Sequence, residues 1–315
     1  SVSGCPADHK EVDIVQLDSF FAPLAEKLNY GHIFDSGARK THGLLVMWSK
    51  QKFALSSRKT IDLDEPLHSD IRLRMETRNI GLVALFTMIN TTPQKHIAVA
   101  TTHLFWHPAA TYERMIQSAK FIDQVMKFTK ESKVLADETI FAADFNTEPV
   151  DPTYRAMTQR PIELDQTEIQ ILEESMNYRY KKKLEEECED EDVDSMDPEV
   201  YYQTDVSDLR DKLPRILQIH NSLPCLQSLY GLGYTSVHPG NARKPWGEPP
   251  FTNWAKVYRG TLDYIFMTKE KNGNSIKLTG LLRLPEENEM AAEGEPSEGR
   301  FASDHLAIMA HVNLR

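Results

Sequence analysis

Between residues 41 and 106 the chain runs through several apolar stretches with no helical pattern among them. "THGLLVMWSKQKFAL" (41–55) holds two strand-like runs around a polar "SKQK" turn. "RNIGLVALFTMIN" (78–90) and "KHIAVATTHLFW" (95–106) are β-rich, and "NTTPQ" between them is a turn signal, so they read as a hairpin or an adjacent strand pair. A doubly wound parallel sheet needs a crossover helix between successive strands, and this succession supplies none. Helices fall on either side of it. "SFFAPLAEKLNYG" (19–31) reads as an amphipathic helix ending at Gly31. Residues 109–130 read as a longer one, with Tyr112, Met115, Ile116, Ala119, Ile122, Val125 and Met126 at helical spacing. "ETIFAADFN" then returns to strand, and Asp151-Pro152 opens a short helix as N-cap and first helical residue. "GTLDYIFMT" (260–268) and "HLAIMAHVNL" (305–314) read as closing strands, with a polar loop at 285–300 between them. The expected fold is α/β (α+β): a four-layer sandwich of two packed mixed β-sheets flanked by helices.

One region breaks the pattern. Residues 163–207 read as an insertion, part charged helix ("LEESMNYRYKKKLEEE") and part acidic run, within a single domain of residues 1–315. A helical stretch interrupted by Pro214 and Pro224 resumes near 208–230. The insertion settles how the charge is to be read. The net charge of −11 argues against a nucleic-acid partner, but "EEECEDEDVDSMDPE" (185–199) carries ten acids and no base, so the rest of the chain is near neutral. Such a block reads as a solvated loop and says little about a substrate-facing surface. Cys5, Cys188 and Cys225 are odd in number and form no CxxC. That argues against a disulfide framework or zinc ribbon and points to a reducing compartment, the cytoplasm ahead of nucleus or mitochondrion. No apolar run approaches the roughly 18 residues of a membrane span, and no signal-peptide pattern stands at Ser1, so no membrane partner is expected.

Polar residues gather at the strand ends. "TIFAADFNTEP" stops at Asp144 and Asn146; at i and i+2 of a strand they would point to the same side. The plain alternative is a turn, which both residues favour. "VATTHLFWHP" ends on His103, and "FASDHLAIMAHV" sets Asp304 and His305 before the last strand. Asp263 sits within an apolar strand, where a carboxylate needs a partner; a histidine on a neighbouring strand would serve. Glu11 and Asp13 stand near the start. Acids, an amide and histidines without a Cys/His cluster, a phosphate-binding glycine loop or a GxSxG elbow suit hydrolysis of a phosphodiester assisted by a hard cation.

These motifs, in order, resemble the endonuclease/exonuclease/phosphatase superfamily. The branch is that of the mRNA deadenylases, nocturnin, Angel and the fungal Ngl RNA exonucleases. "EVD" with "FFAPLAEKLNYG" is similar to the metal-binding Glu motif and its helix, and "RNIGLVALF" to the next core strand. "TTHLFWHP" is similar to the Thr/Ala-His motif with its downstream Trp and Pro, and "AADFNTEP" to the Gly-Asp-x-Asn motif, with Ala143 where glycine is usual. "YRGTLDYIF" and "SDH" resemble the last two motifs; "HGLLVMW" and "TTHLFWHP" are most like the Ngl group. The resemblance implies that Glu11 ligates the metal and Asp304 completes its water shell. It gives Asp144 the attacking water, Asn146 and His103 the transition state, and His305, oriented by Asp263, the scissile phosphate. Pro108 and Tyr258 fall where relatives hold the terminal base. The implied reaction is Mg²⁺-dependent hydrolysis, with Mn²⁺ as a substitute, of single-stranded RNA from a free 3′ end, in RNA 3′-end (rRNA) processing or poly(A) shortening.

The N-terminus departs from the family pattern. Only "SVSGCPADHK" precedes Glu11, and Lys10 stands where Gln is usual. That decapeptide does not read as a buried strand, so the expectation is a domain lacking its first strands. Two other readings stand beside the exoribonuclease: a same-fold phosphatase or phosphodiesterase on a small nucleotide or a phospholipid, and a non-catalytic RNA-binding scaffold.

Overall fold

Successive apolar runs must bury two-sided strands, and the chain does so by building two sheets face to face. The computed structural model describes residues 7–37, 40–180, 205–269, 276–297 and 300–314. The chain opens with β1 (Ala7–Asp13), a helical stretch made of α1 (Ile14–Gln16), a π turn and α2 (Ala22–Lys27), then β2 (Tyr30–Asp35) and β3 (His42–Ser49). These strands form an antiparallel sheet in the order β1-β3-β2. Backbone from the decapeptide therefore does enter a strand: Ala7, Asp8 and His9 pair with Met47, Val46 and Leu45. The first helical stretch starts earlier and stops earlier than its sequence pattern indicates. Asn29, at φ 55°, turns the chain, and Gly31 lies inside β2, where a Cβ would run into the Trp48 indole. The glycine marks a close approach between strands and not a helix stop.

The chain then crosses to the second sheet through the polar turn after β3. β4 (Phe53–Asp62), β5 (Ile80–Met88) and β6 (His96–Thr102) follow, then α3 (Thr111–Glu131), β7 (Glu138–Asp144) and α4 (Pro152–Thr158). Asp151 caps α4 by accepting the Thr153 N–H at 2.8 Å, as the Asp-Pro signal predicts. α5 (Gln166–Asn177), α6 (Val206–Ser222), β8 (Leu226–Ser228) and α7 (Leu229–Val237) lead to the short β9 (Asn253–Trp254) and β10 (Arg259–Gly260). β11 (Asp263–Thr268), β12 (Ile276–Leu281) and β13 (Ala310–Leu314) end the chain. The larger sheet runs β4-β5-β6-β7-β11-β8 and is mixed, because β6 and β7 are parallel while the other pairs are antiparallel. β5 and β6 pair as the hairpin reading requires.

The inner faces of the two sheets make one core. Ile33, Val46 and Trp48 meet Phe53, Leu82, Phe86, Val99 and Ile140. On the outer face of the large sheet, Phe121, Ile122 and Val125 of α3 cover Val83, Ala100 and Phe141. The opposite side of α3, with Tyr112, Met115 and Ile116, is buried by Leu172 and Met176 of α5 and Leu209 and Ile216 of α6. The first helical stretch closes the small sheet through Ala25 against Leu45 and Met47. Helix, sheet, sheet and helix are thus the four layers.

Three local outcomes differ from the sequence reading. Residues 166–177, expected within an ill-ordered insertion, form a helix with a full capping box between Asp165 and Glu168. The charged helix expected at 172–187 is met by α5 as far as Asn177, residues 178–180 are not helical, and its remainder and the acidic run fall within 181–204, outside the described residues. Pro214 lies inside α6 without ending it. The final strand starts only at Ala310; residues 305–309 form no strand, and His305 instead makes an isolated bridge with Asn253. No helix among the described residues is long and apolar enough to cross a membrane.

Candidate active site

β6 and β7 run side by side in the same direction, so their carboxyl ends open on one crevice. The register that pairs Ile97 with Glu138 continues past the strands to pair His103 with Asp144. The Leu104 N–H donates to the Asp144 carbonyl at 3.1 Å and fixes this end. β11 lies antiparallel on the other side of β7, and its first residue, Asp263, is directly opposite Asp144. Three strands therefore deliver His103, Asp144 and Asp263 to one place.

Asp144 is buried, and its Oδ2 stands 3.7 Å from His103 Nε2 and 3.9 Å from His305 Nε2. The other nitrogen of His305, Nδ1, is 2.9 Å from Asp263 Oδ2. The partner that the buried Asp263 required is thus His305, which arrives from the loop before β13. A second group holds the same carboxylate: the Thr252 hydroxyl donates to Asp263 Oδ2 at 2.7 Å and accepts the N–H groups of Leu262 and Asp263, each at 3.0 Å. Thr252 is fully buried. Sequence reasoning missed it, and nothing in "FTNW" marks it, because its role comes from a loop folded back over β11.

Asn146 reaches the site by a different route from the one its i, i+2 spacing indicates. β7 ends at Asp144, and Asn146 adopts the left-handed region at φ 46°. Its N–H donates to Asp144 Oδ1 at 2.8 Å, and its side-chain amide donates to the Leu104 carbonyl at 2.8 Å. The two residues are tied by a turn, not by a shared strand face, so the turn chemistry and the site geometry are one feature.

The remaining expected residues lie around this centre. Asp304 is half-buried beside His305; its carbonyl accepts the Trp254 N–H at 2.7 Å and its Oδ2 lies 3.4 Å from Asn253 Nδ2. Glu11 lies in β1, where the pairing with β3 is irregular between His9 and Val12, and its side chain is outside the described residues. β1 does pass against β6 and β7. Pro108 and Tyr258 are both exposed, on separate loops. The Tyr258 hydroxyl donates to Glu148 Oε1 at 2.8 Å, and Arg243 Nη1 donates to Glu148 Oε2 at 2.6 Å. Although the Tyr258 residue is 38% exposed, partial burial of its phenol and the Glu148 carboxylate push the phenol above its ordinary pKa.

As a metal site the centre is suitable in donor type. Among the described residues, Asp144, Asp263 and His305 offer ligand atoms within 4.8 Å of one another. His305 Nδ1 and Asp263 Oδ2 are already engaged with each other, so Asp144 is the group's member best disposed toward a cation. Carboxylate oxygens at a crevice mouth suit a hard divalent ion.

Comparison with known proteins agrees with this geometry. The Endonuclease/Exonuclease/phosphatase family matches residues 11–305. An RNA exonuclease of Schizosaccharomyces pombe ("Probable RNA exonuclease C9B6.11c") is 36% identical, over 97% of this chain and 66% of that protein. RNA exonuclease NGL2 of Saccharomyces cerevisiae is 32% identical, over 97% of this chain and 69% of that protein. The chain thus spans about two thirds of the length of these relatives. In fold it is similar to ANGEL2, a 2′,3′-cyclic phosphatase solved with adenosine-2′,3′-vanadate, with a TM-score of 0.62 at 22% identity over 98% of this chain and 81% of that one. The chain belongs to the endonuclease/exonuclease/phosphatase family and is a hydrolytic phosphodiesterase.

Proposed function

We propose that the protein is a Mg²⁺-dependent 3′–5′ exoribonuclease that removes 5′-mononucleotides from single-stranded RNA with a free 3′ end. The observation that carries this reading is the buried Asp144 carboxylate flanked by two imidazole Nε2 atoms, one of them oriented by Asp263. A carboxylate so placed orients a water and takes its proton. The Asp263 bond fixes His305 with Nδ1 inward, leaving Nε2 to donate toward a phosphate oxygen as charge builds there. His103 supplies the same from the other side, and Asn146 locks the Asp144 end of the site through its turn. Glu11, Asp304 and Asp144 are the residues that would hold Mg²⁺, or Mn²⁺ in its place; such a cation would offset the negative charge of the phosphodiester. Pro108 and Tyr258 would wall the terminal base. The RNA exonuclease relatives support the substrate class, and the cytoplasm, with rRNA 3′-end processing or poly(A) shortening, is the setting we assign.

The test uses 5′-labelled oligo(A) and mixed-sequence RNA with Mg²⁺ or EDTA, beside Asp144→Ala. A ladder shortening from the 3′ end in Mg²⁺ alone, with a loss of at least about a thousandfold in the variant, is expected. Internal cuts, or no cleavage with Mg²⁺ or Mn²⁺, would overturn the reading.

A further inference from the structure

The segment that carries His103 continues into Phe105, Trp106 and His107, and these rings join two tyrosines from beyond α5. Trp106 and His107 have centroids 5.4 Å apart, His107 and Tyr178 5.0 Å, and Tyr178 and Tyr180 5.0 Å. Phe105 lies beneath, stacked on His107 at 6.4 Å and 18°. Phe105 is buried and serves the core, but Trp106 and Tyr178 keep 40% and 41% of their surface exposed. Two buried arginines hold the arrangement from below. Arg114 donates to the carbonyls of Phe105, His107 and Pro108, at 3.3, 2.7 and 3.4 Å. Arg74 donates to those of Ser175, Met176 and Tyr178, at 3.0, 3.2 and 3.3 Å, and its guanidinium lies 5.2 Å from the Tyr180 ring.

We infer that Trp106, His107 and Tyr178 form a stacking platform for the RNA bases that lie 5′ of the terminal nucleotide; this rests on the exoribonuclease reading. The platform is continuous with the catalytic segment, three residues from His103 and two from Pro108. Buried charge holds the backbone carbonyls of His107 and Tyr178, and the rings are tilted by 50° (Trp106–His107) and 47° (His107–Tyr178), so each would offer a base its own face. Every base has a π face, so aromatic stacking is tolerant of sequence, which suits an enzyme that must advance along a strand.

The experiment measures anisotropy of 5′-fluorescein octa-adenylate bound in EDTA, where cleavage is not needed. Trp106→Ala and Tyr178→Ala should each weaken binding by about tenfold, and Trp106→Phe should recover most of the loss. Abasic residues at the second and third positions from the 3′ end should weaken binding to the unaltered protein by a similar factor and add little to the variants' loss. Unchanged affinity in both alanine variants, abasic losses fully additive with theirs, or no binding to the unaltered protein would overturn the platform. The binding pattern intact without cleavage in Mg²⁺ would sink the exoribonuclease reading and leave the platform standing.

Discussion

His305 is only as well aimed as Asp263, and Asp263 is only as well aimed as Thr252. The hydroxyl of Thr252 donates to the carboxylate and at the same time accepts two backbone N–H groups of the segment that bears it. Thr252→Val keeps the shape and removes the hydroxyl, leaving those N–H groups short of a partner. We expect kcat to fall by about tenfold to a hundredfold with KM little changed, the range for groups that orient a ligand or base. Thr252→Ser should restore it; an unchanged kcat in Thr252→Val would show that Asp263 needs no such support. The contrast with Asp263 shows what a sequence can carry. A carboxylate in an apolar strand signals its own need for a partner, and His305 answered it. A threonine in an irregular loop carries no such signal, since the residue is as common in solvent as in a core. Asn146 is intermediate: its identity was legible, but its φ of 46° and its bond to Leu104 were not, because spacing alone assumes that the strand continues.

α3 is the element on which the helical layer depends, and it is apolar on two sides. The sequence repeat joined residues of both sides, Ile122 and Val125 toward the sheet and Tyr112, Met115 and Ile116 toward α5 and α6, and the helix expected in the insertion overlaps α5 only at residues 172–177. The link between α3 and α5 is ionic. Arg74, preceding β5, meets Glu113 of α3 at 2.8 Å (Nη2 to Oε2) and bonds the carbonyls that end α5. Both side chains are buried, at 6% and 0% exposure. Glu113→Leu leaves the guanidinium without its counter-charge, which should cost about 3–5 kcal/mol in urea unfolding. Pairing it with Arg74→Met should recover much of that, because neither charge then remains buried alone. Equal losses in the single and double variants would mean that packing and not charge pairing holds α5. Such a pair is hard to read from the chain: its members are 39 residues apart, and both types are usually surface residues.

For the whole molecule, two buried titratable groups set opposing slopes of stability with pH. Burial pushes the Glu248 carboxyl up to about 7; its Oε1 accepts the Tyr154 hydroxyl at 2.8 Å. Burial also drives His220 down to about 4, with Nε2 2.9 Å from the Met115 carbonyl. Glu248 keeps its proton in the folded state after the unfolded chain has lost it, so its contribution is complete below about 4.5 and is lost as pH rises to about 7. His220 stays neutral when the unfolded chain would charge it, so its contribution is complete above about 6.5 and is lost as pH falls to about 4. From about pH 4.5 to 6.5 the two largely cancel. Urea midpoints for Glu248→Gln should therefore fall more steeply on acidification than those of the unaltered protein, and should lie higher at pH 8. A pH profile unchanged by the substitution would place the Glu248 proton elsewhere. The four-layer plan was legible because periodicity follows directly from burial. The meeting of sheet ends from positions 103, 144, 263 and 305 was legible only as a motif series, since nothing local says which strands are neighbours.

The single parallel pair among the described strands has one more implication. His103 and Asp144 are brought level by the β6–β7 register, which the Leu104 and Asn146 bonds then hold. A slip of two residues would keep every apolar side chain on its proper face while separating the imidazole from the carboxylate. A chain so misaligned would still bury the right faces, at some loss of packing, and would have no turnover. Catalysis here doubles as proofreading of strand alignment, a finer gauge of correct assembly than stability itself.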